Sequence, residues 1–262
     1  MTDHHDDVPR VRPDVAAQLR GALLRGADLS GLEIRDSDVS GLRIVDCLAD
    51  EVSVSGALGR VIVDDVDVTD HVREVLDARL PVRRLAREAT TPDQLRYAWD
   101  ETQRAWDELI TRVRDSPADL ASTQVDGEWS LVQTLRHLRF AADAWIGTAV
   151  LAEPRPHHPW GLPADGTTDD VVSELGLDLL ADPGLVDVLA VRAERRETVE
   201  RLIDSLTEAA LDRVCDRTPG PGYPIREYTV RRCLRVVLGE EAEHLRYTLR
   251  DQAVLRHAME QS

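Results

Sequence analysis

Four stretches between residues 91 and 261 place apolar residues at helical spacing. Two of those apolar faces also carry groups that a protein core rejects unless they are paired or bound to metal. His137 lies in LVQTLRHLRFAADAW, where helical winding puts it beside Thr134, Ala141 and Trp145. Glu240 and His244 lie four residues apart in RVVLGEEAEHLRYTL and share one face, about one turn apart. Two imidazoles and a carboxylate can hold one divalent metal ion. Each piece also has a plainer reading. His137 could be a core-edge histidine bonded to a neighbouring helix. Glu240, Glu241 and Glu243 could be a solvated acidic run, although Val236, Val237, Leu238 and Leu245 mark that segment as largely buried. Glu241 is the rival carboxylate, because it too lies within one turn of His244.

The helices that would carry these groups have legible ends. Thr91-Pro92 starts the first, with Thr as N-cap and Pro at the first helical position. It runs to about Asp115, with Leu95, Trp99, Trp106, Leu109 and Val113 on one face. Ser130 caps the second, which runs to about Ala152 with Leu131, Leu135, Leu138, Ala142, Trp145 and Ile146 inward. The third spans about Gly184 to Leu206 and the fourth about Thr229 to Gln261. Between them lie a long proline- and glycine-rich loop, EPRPHHPWGLPADGTTDD, and the segment TPGPGYP. The predicted architecture is mainly α, a four-helix up-down bundle over residues 71–262 with one long crossover. His157 and His158, next to Trp160 in the long loop, read as exposed loop residues or as the mouth of a site, the first being the simpler reading. Trp129 is expected near the rim. Cys233 reads as core, and His71 and His257 have no partner legible in the sequence.

Upstream the period changes. After a polar lead-in over 1–21, Leu24, Leu29, Ile34, Val39 and Ile44 recur every five positions, and small or apolar residues sit two earlier. Neither the helical nor the strand period gives five, and a fixed period marks a stacked repeat. The stretch LRGADLSGLEIRDSDVSGLRI resembles the pentapeptide-repeat family. That resemblance implies a short right-handed β-helix over 22–70, with the central and minus-two residues inside. Residues 61–75 are expected to supply a strand and then a turn. Residues 26–70 hold eleven acidic residues against three arginines.

The chain as a whole is acidic, with a net charge of -17. Such a surface repels phosphate backbones and anionic lipid, so neither nucleic acid nor membrane is an expected partner. No apolar run approaches the roughly 18 residues of a membrane span. The opening MTDHHDDVPR does not read as a secretory signal. Three widely spaced cysteines, Cys47, Cys215 and Cys233, argue against a disulfide framework. A cytoplasmic location is expected.

A histidine on the second helix followed by a spaced pair on the fourth resembles the DinB-like four-helix bundle family over residues 91–260. That family carries His-x-x-x-His on its fourth helix, and here Glu240 stands in the first position. The resulting pattern, with GEWSLVQTLRHL and VRRCLRVVLGEEAEHLRYTLRDQAVL, resembles the mycothiol-dependent metalloenzyme subgroup. The resemblance implies His137, Glu240 and His244 as ligands of a divalent metal. Zinc is preferred, with nickel, iron or manganese as alternatives. It also implies a low-molecular-weight thiol cosubstrate, mycothiol or similar, in S-transfer to or isomerisation of a small electrophile. Two imidazoles and a carboxylate leave a coordination position open, as in catalytic zinc. The alternatives are a metal-dependent hydrolase, or a non-catalytic metal-binding or interaction protein with an acidic repeat surface. On any of these readings the chain could pair as a homodimer, the repeat serving as a structural cap or a dimerisation surface.

Overall fold

The computed structural model of the protein describes residues 19–35, 37–56, 58–116, 120–164 and 166–261. The chain divides into two units, residues 1–48 and 49–262. His4, His5 and the lead-in prolines fall outside the described residues.

In the first unit the five-residue period is written in the backbone. φ is positive at Gly21, Gly26, Gly31, Gly41 and Asp46. Turn hydrogen bonds run from the amides of Ala22, Leu32 and Leu42 to the carbonyls of Leu19, Leu29 and Val39. The repeat is thus expressed as a regular series of tight turns. Among the described residues before Val61 no strand forms. The side chains expected to fill a β-helix interior, Leu24, Leu29, Ile34, Val39 and Ile44, are exposed. The closed, filled β-helix expected here is therefore not an element of the described residues. The three hydrogen-bonded turns close locally, and the apolar side chains between turns stand in solvent.

The second unit opens with a minimal hairpin, β1 (Ile62–Val63) against β2 (Val66–Asp67), antiparallel with Val63 opposite Val66. Asp64 and Asp65 form its turn at φ 46° and 63°, the left-handed pair that a two-residue hairpin needs. Two helices absent from the sequence reading follow, α1 (Thr69–Arg79) and α2 (Val82–Glu88). The bundle helices come next. These are α3 (Pro92–Arg114), α4 (Leu131–Ala142), which continues as a π-helix over Asp143–Val150, α6 (Leu185–Asp204) and α8 (Val230–Glu260). Two short helices, α5 (Asp169–Leu175) and α7 (Glu208–Asp212), punctuate the connections.

Thr91 and Ser130 both close capping boxes, with Gln94 and Gln133 returning a bond to the cap backbone. These boxes satisfy orphan amide donors where each helix emerges, and so fix the start of the helix. α4 packs on α6 and α8, and α3 packs on the same two, so that α3 and α4 lie across the bundle from one another. α2 packs against α3 and α8. The core inside this ring is built from Leu95, Trp99, Trp106, Leu135, Leu138, Ile146, Val199, Leu234, Val237 and Leu245. Among the described residues no helix is long and apolar enough to cross a membrane. Cys233 is buried core, as expected, its Sγ 3.9 Å from that of Cys215. Both are free thiols.

Candidate metal centre

His137 is carried by α4, and Glu240 and His244 by α8. Because those two helices pack together, the three side chains meet. Nε2 of His137 lies 3.5 Å from Oε2 of Glu240, and Nε2 of His244 lies 3.3 Å from the same oxygen. Hydrogen bonds between imidazolium and carboxylate close to about 2.7–2.9 Å. The wider spacing found here matches the edge of a tetrahedron with metal–ligand bonds of about 2.0–2.2 Å, which is roughly 3.4 Å. One donor atom from each of the three lies within 4.8 Å of the other two. The donor set and its spacing therefore fit a divalent ion.

Electrostatics support the same reading. Burial works against charge on Glu240, but the neighbouring His137 and His244 outweigh it and bring the carboxyl down to about 2. The carboxylate is thus ionised and ready to act as a ligand across the physiological range. It is not sealed, since about 36% of its side chain remains exposed. His137 itself is buried. Its other nitrogen, Nδ1, lies 3.0 Å from the carbonyl oxygen of Leu162. Donation from Nδ1 to that carbonyl fixes the ring orientation and leaves Nε2 as the nitrogen facing Glu240, the arrangement by which an outer-shell partner orients a histidine for a metal.

The carbonyl of Leu162 comes from the long loop after the π-helix, and that loop is fastened at several points. The Arg136 guanidinium donates to the carbonyls of Trp160, Asp178 and Ala181. Asp143, wholly buried at the α–π junction, accepts from Arg139, from Arg195 and from the backbone amide of His158. Arg195 also binds Glu153 and the carbonyl of Pro156. Gly147 in the π-helix leaves room for this crossing, since a Cβ there would come within 2.5 Å of the Pro156 Cβ. Burial of three charges at one point is costly, and it is compensated here by a full set of partners.

Aromatic rings surround the donors. Trp129 lies 4.7 Å from the His137 ring and stacks on the His244 ring at 5.9 Å, so the residue expected near the rim packs against both imidazoles. Tyr247 meets His244 edge-on. Tyr223, which the sequence reading missed, sits on Trp145 in the TPGPGYP segment. Burial and the nearby Glu240 charge push its hydroxyl pKa up. The only available signal for it was an aromatic inside a turn-rich segment.

The two loop histidines are half-buried, which corrects the expectation of exposed positions. Both ring nitrogens of His157 are shut away from solvent without a partner among the described residues, and its ring lies 5.3 Å from that of Phe140. Burial lowers its pKa. His158 takes a hydrogen bond on Nδ1 from the Trp160 amide. The loop is pinned down by Arg136 and Asp143, so its side chains turn inward. His257 finds a partner in Gln261.

Glu241, the rival carboxylate, points elsewhere. It is 2% exposed and takes both terminal nitrogens of Arg192 on α6, at 3.0 and 2.6 Å. Its lone pairs are spent on that guanidinium.

Residues 94–248 match the family model described as the DinB superfamily. The chain belongs to the DinB superfamily. The matched range begins in α3 and ends in α8, and so contains all three donors. No curated protein and no solved structure matches the chain.

Proposed function

We propose that this DinB-superfamily protein is a metal-dependent enzyme that uses a low-molecular-weight thiol, mycothiol or a similar one, for S-transfer to or isomerisation of a small electrophile. His137, Glu240 and His244 are its metal ligands. The observation that carries the reading is their convergence on one point from two helices, with the neighbouring Glu241 bound to Arg192 instead. A metal held by three protein ligands keeps a position open and lowers the pKa of a thiol or water bound there. Zinc fits this donor set best, and nickel, iron and manganese also accept nitrogen and carboxylate ligands.

The chain's own residues supply the rest. Leu162 holds the His137 ring by its Nδ1 proton. Trp129 and Tyr247 wall the site with aromatic surface, which limits water at the reacting atoms and suits a small organic electrophile. Tyr223, packed on Trp145 and near enough to feel the Glu240 charge, offers a protonated hydroxyl as a hydrogen-bond donor. A hydrolase using the same ions with water in place of thiol is the second reading, favoured by the partial exposure of Glu240.

Elemental analysis of purified protein, together with turnover of a model electrophile with and without added thiol, tests both readings. About one metal per chain and turnover only with thiol are expected. Turnover without thiol supports the hydrolase. A chain that takes up no metal after exposure to zinc, nickel, iron or manganese salts overturns the centre itself.

A further inference from the structure

On another face of α8 lies a groove of about 790 Å³ whose lining is dominated by arginine. Arg73, Arg83, Arg87, Arg231, Arg232 and Arg235 line it, with Glu227 and Glu243 as its acidic members. Six guanidinium groups in one groove stand out in a chain of net charge -17. Four of them have carboxylate partners. Arg83 binds Asp77 and Glu243, Arg87 binds Asp77, Arg231 binds Asp212, and Arg73 binds Asp70. The other two do not. Among the described residues, Arg235 donates to the carbonyl of Arg87, and Arg232 lies over the Tyr228 ring at 5.7 Å. Both are exposed, with donors to spare.

Two further features break local rules at this groove. The first turn of α8 contains Arg231 and Arg232 and no acidic residue, which sets cations against the positive end of a 31-residue helix. Gly239, which lines the groove from within that helix, costs helix stability relative to alanine. Packing does not demand it, because a Cβ there would meet nothing within 4 Å. Unspent guanidiniums facing one open volume supply the donors a bound anion needs, and the missing side chain at Gly239 lets it approach closely.

We propose that this groove binds a small phosphoryl polyanion, such as a diphosphate-bearing metabolite, gripped by Arg232 and Arg235 over the Gly239 backbone. More than one negative charge is needed to engage cations spread along the groove. A long polyanion is disfavoured by Glu227, Glu243 and the acidic surface beyond. The site is independent of the metal centre.

Isothermal titration of the full chain with inorganic pyrophosphate, at matched ionic strength, is expected to show saturable binding near one per chain. Arg232→Ala combined with Arg235→Ala is expected to weaken it at least about tenfold, the effect of losing charge-assisted contacts. Gly239→Leu keeps every charge and adds a side chain to the lining, so it is expected to block binding by bulk. His244→Ala disrupts the candidate metal centre and is expected to leave pyrophosphate binding unchanged. The proposal is overturned if the wild type shows no binding, if binding survives both groove variants, if it is lost with His244→Ala, or if a DNA oligonucleotide binds more tightly than pyrophosphate.

Discussion

Glu240 and Glu241 are chemically identical neighbours on one helix, and the fold gives them opposite work. Glu241 is sealed between α8 and α6, with one guanidinium matched to its two oxygens and Gln103 beside that guanidinium at 3.3 Å. Glu240 sits between two imidazoles at distances too long for strong hydrogen bonds, and part of it remains open to solvent. A carboxylate whose two oxygens are both engaged by one buried guanidinium braces the structure. A carboxylate set between two imidazoles and left partly open to solvent keeps oxygen lone pairs available to a cation. A rotation of about 100° along a helix separates a strut from a carboxylate that could hold a metal ion.

The sharpest way to break that comparison is to remove each carboxylate in turn. Glu241→Ala leaves Arg192 charged and buried, and loss of one partner of such a pair costs about 3–5 kcal/mol. For a chain of this size that is a fall in Tm of roughly 10 °C, measurable by thermal denaturation. A Glu241→Ala protein as stable as the wild type would end its role as a brace. Glu240→Ala is expected to do the reverse. The metal-free chain should lose no more than about 1 kcal/mol, while metal affinity falls by more than the roughly 10–100-fold typical of losing an outer-shell partner. Titration with a chelating indicator measures this. Because Trp129 stacks on His244, its fluorescence gives a second readout.

The choice between these two glutamates was not legible in the sequence. Spacing placed both within a turn of His244. What separates them is the position of Arg192, 49 residues upstream on a helix whose rotation no local pattern fixes. The bundle itself was far more legible. Thr91, Ser130 and Thr229 announce their helices through side chains that bond the next turn's amides, a signal that is local and therefore readable. His137 was readable because an ionisable group on an apolar face is rare. Its outer-shell partner was not, since a backbone carbonyl such as that of Leu162 carries no residue signature. The π-helical continuation of α4 was likewise hidden, because it depends on Asp143 meeting Arg195 and on Pro156 seating against Gly147. At the other extreme, the five-residue period was the plainest pattern in the chain. It appears faithfully in the positive-φ glycines, yet the described residues form turns in place of strands. Periodicity reports which positions are equivalent. It does not report whether the layers they define close on one another.

The loop that carries Leu162 offers a milder test. Gly147→Ala drives a methyl group into Pro156 and pushes the loop away from the π-helix. Overpacking of this kind costs about 1–3 kcal/mol. If the loop sets the His137 tautomer, the same variant should also weaken metal binding, although it touches no donor. Unchanged metal affinity in a destabilised Gly147→Ala protein would separate the loop's structural role from the site.

The smallest expected effect concerns acid. In metal-free protein the Glu240 carboxyl is brought from 4.5 down to about 2, against the opposing effect of burial, by His137 and His244. A depressed folded-state pKa stabilises the fold above the unfolded value, and that contribution is lost as pH falls through the folded one. The window therefore runs from about pH 4.5 down to about pH 2. With over a third of the side chain exposed, solvent screening holds the contribution to about 1 kcal/mol or less. Glu240→Gln should remove that slope. Comparing the two proteins by chemical denaturation at pH 5 and pH 3 cancels the other carboxylates, which titrate alike in both. An identical pH dependence in wild type and Glu240→Gln would mean that the imidazoles do not bear on this carboxylate in the metal-free state.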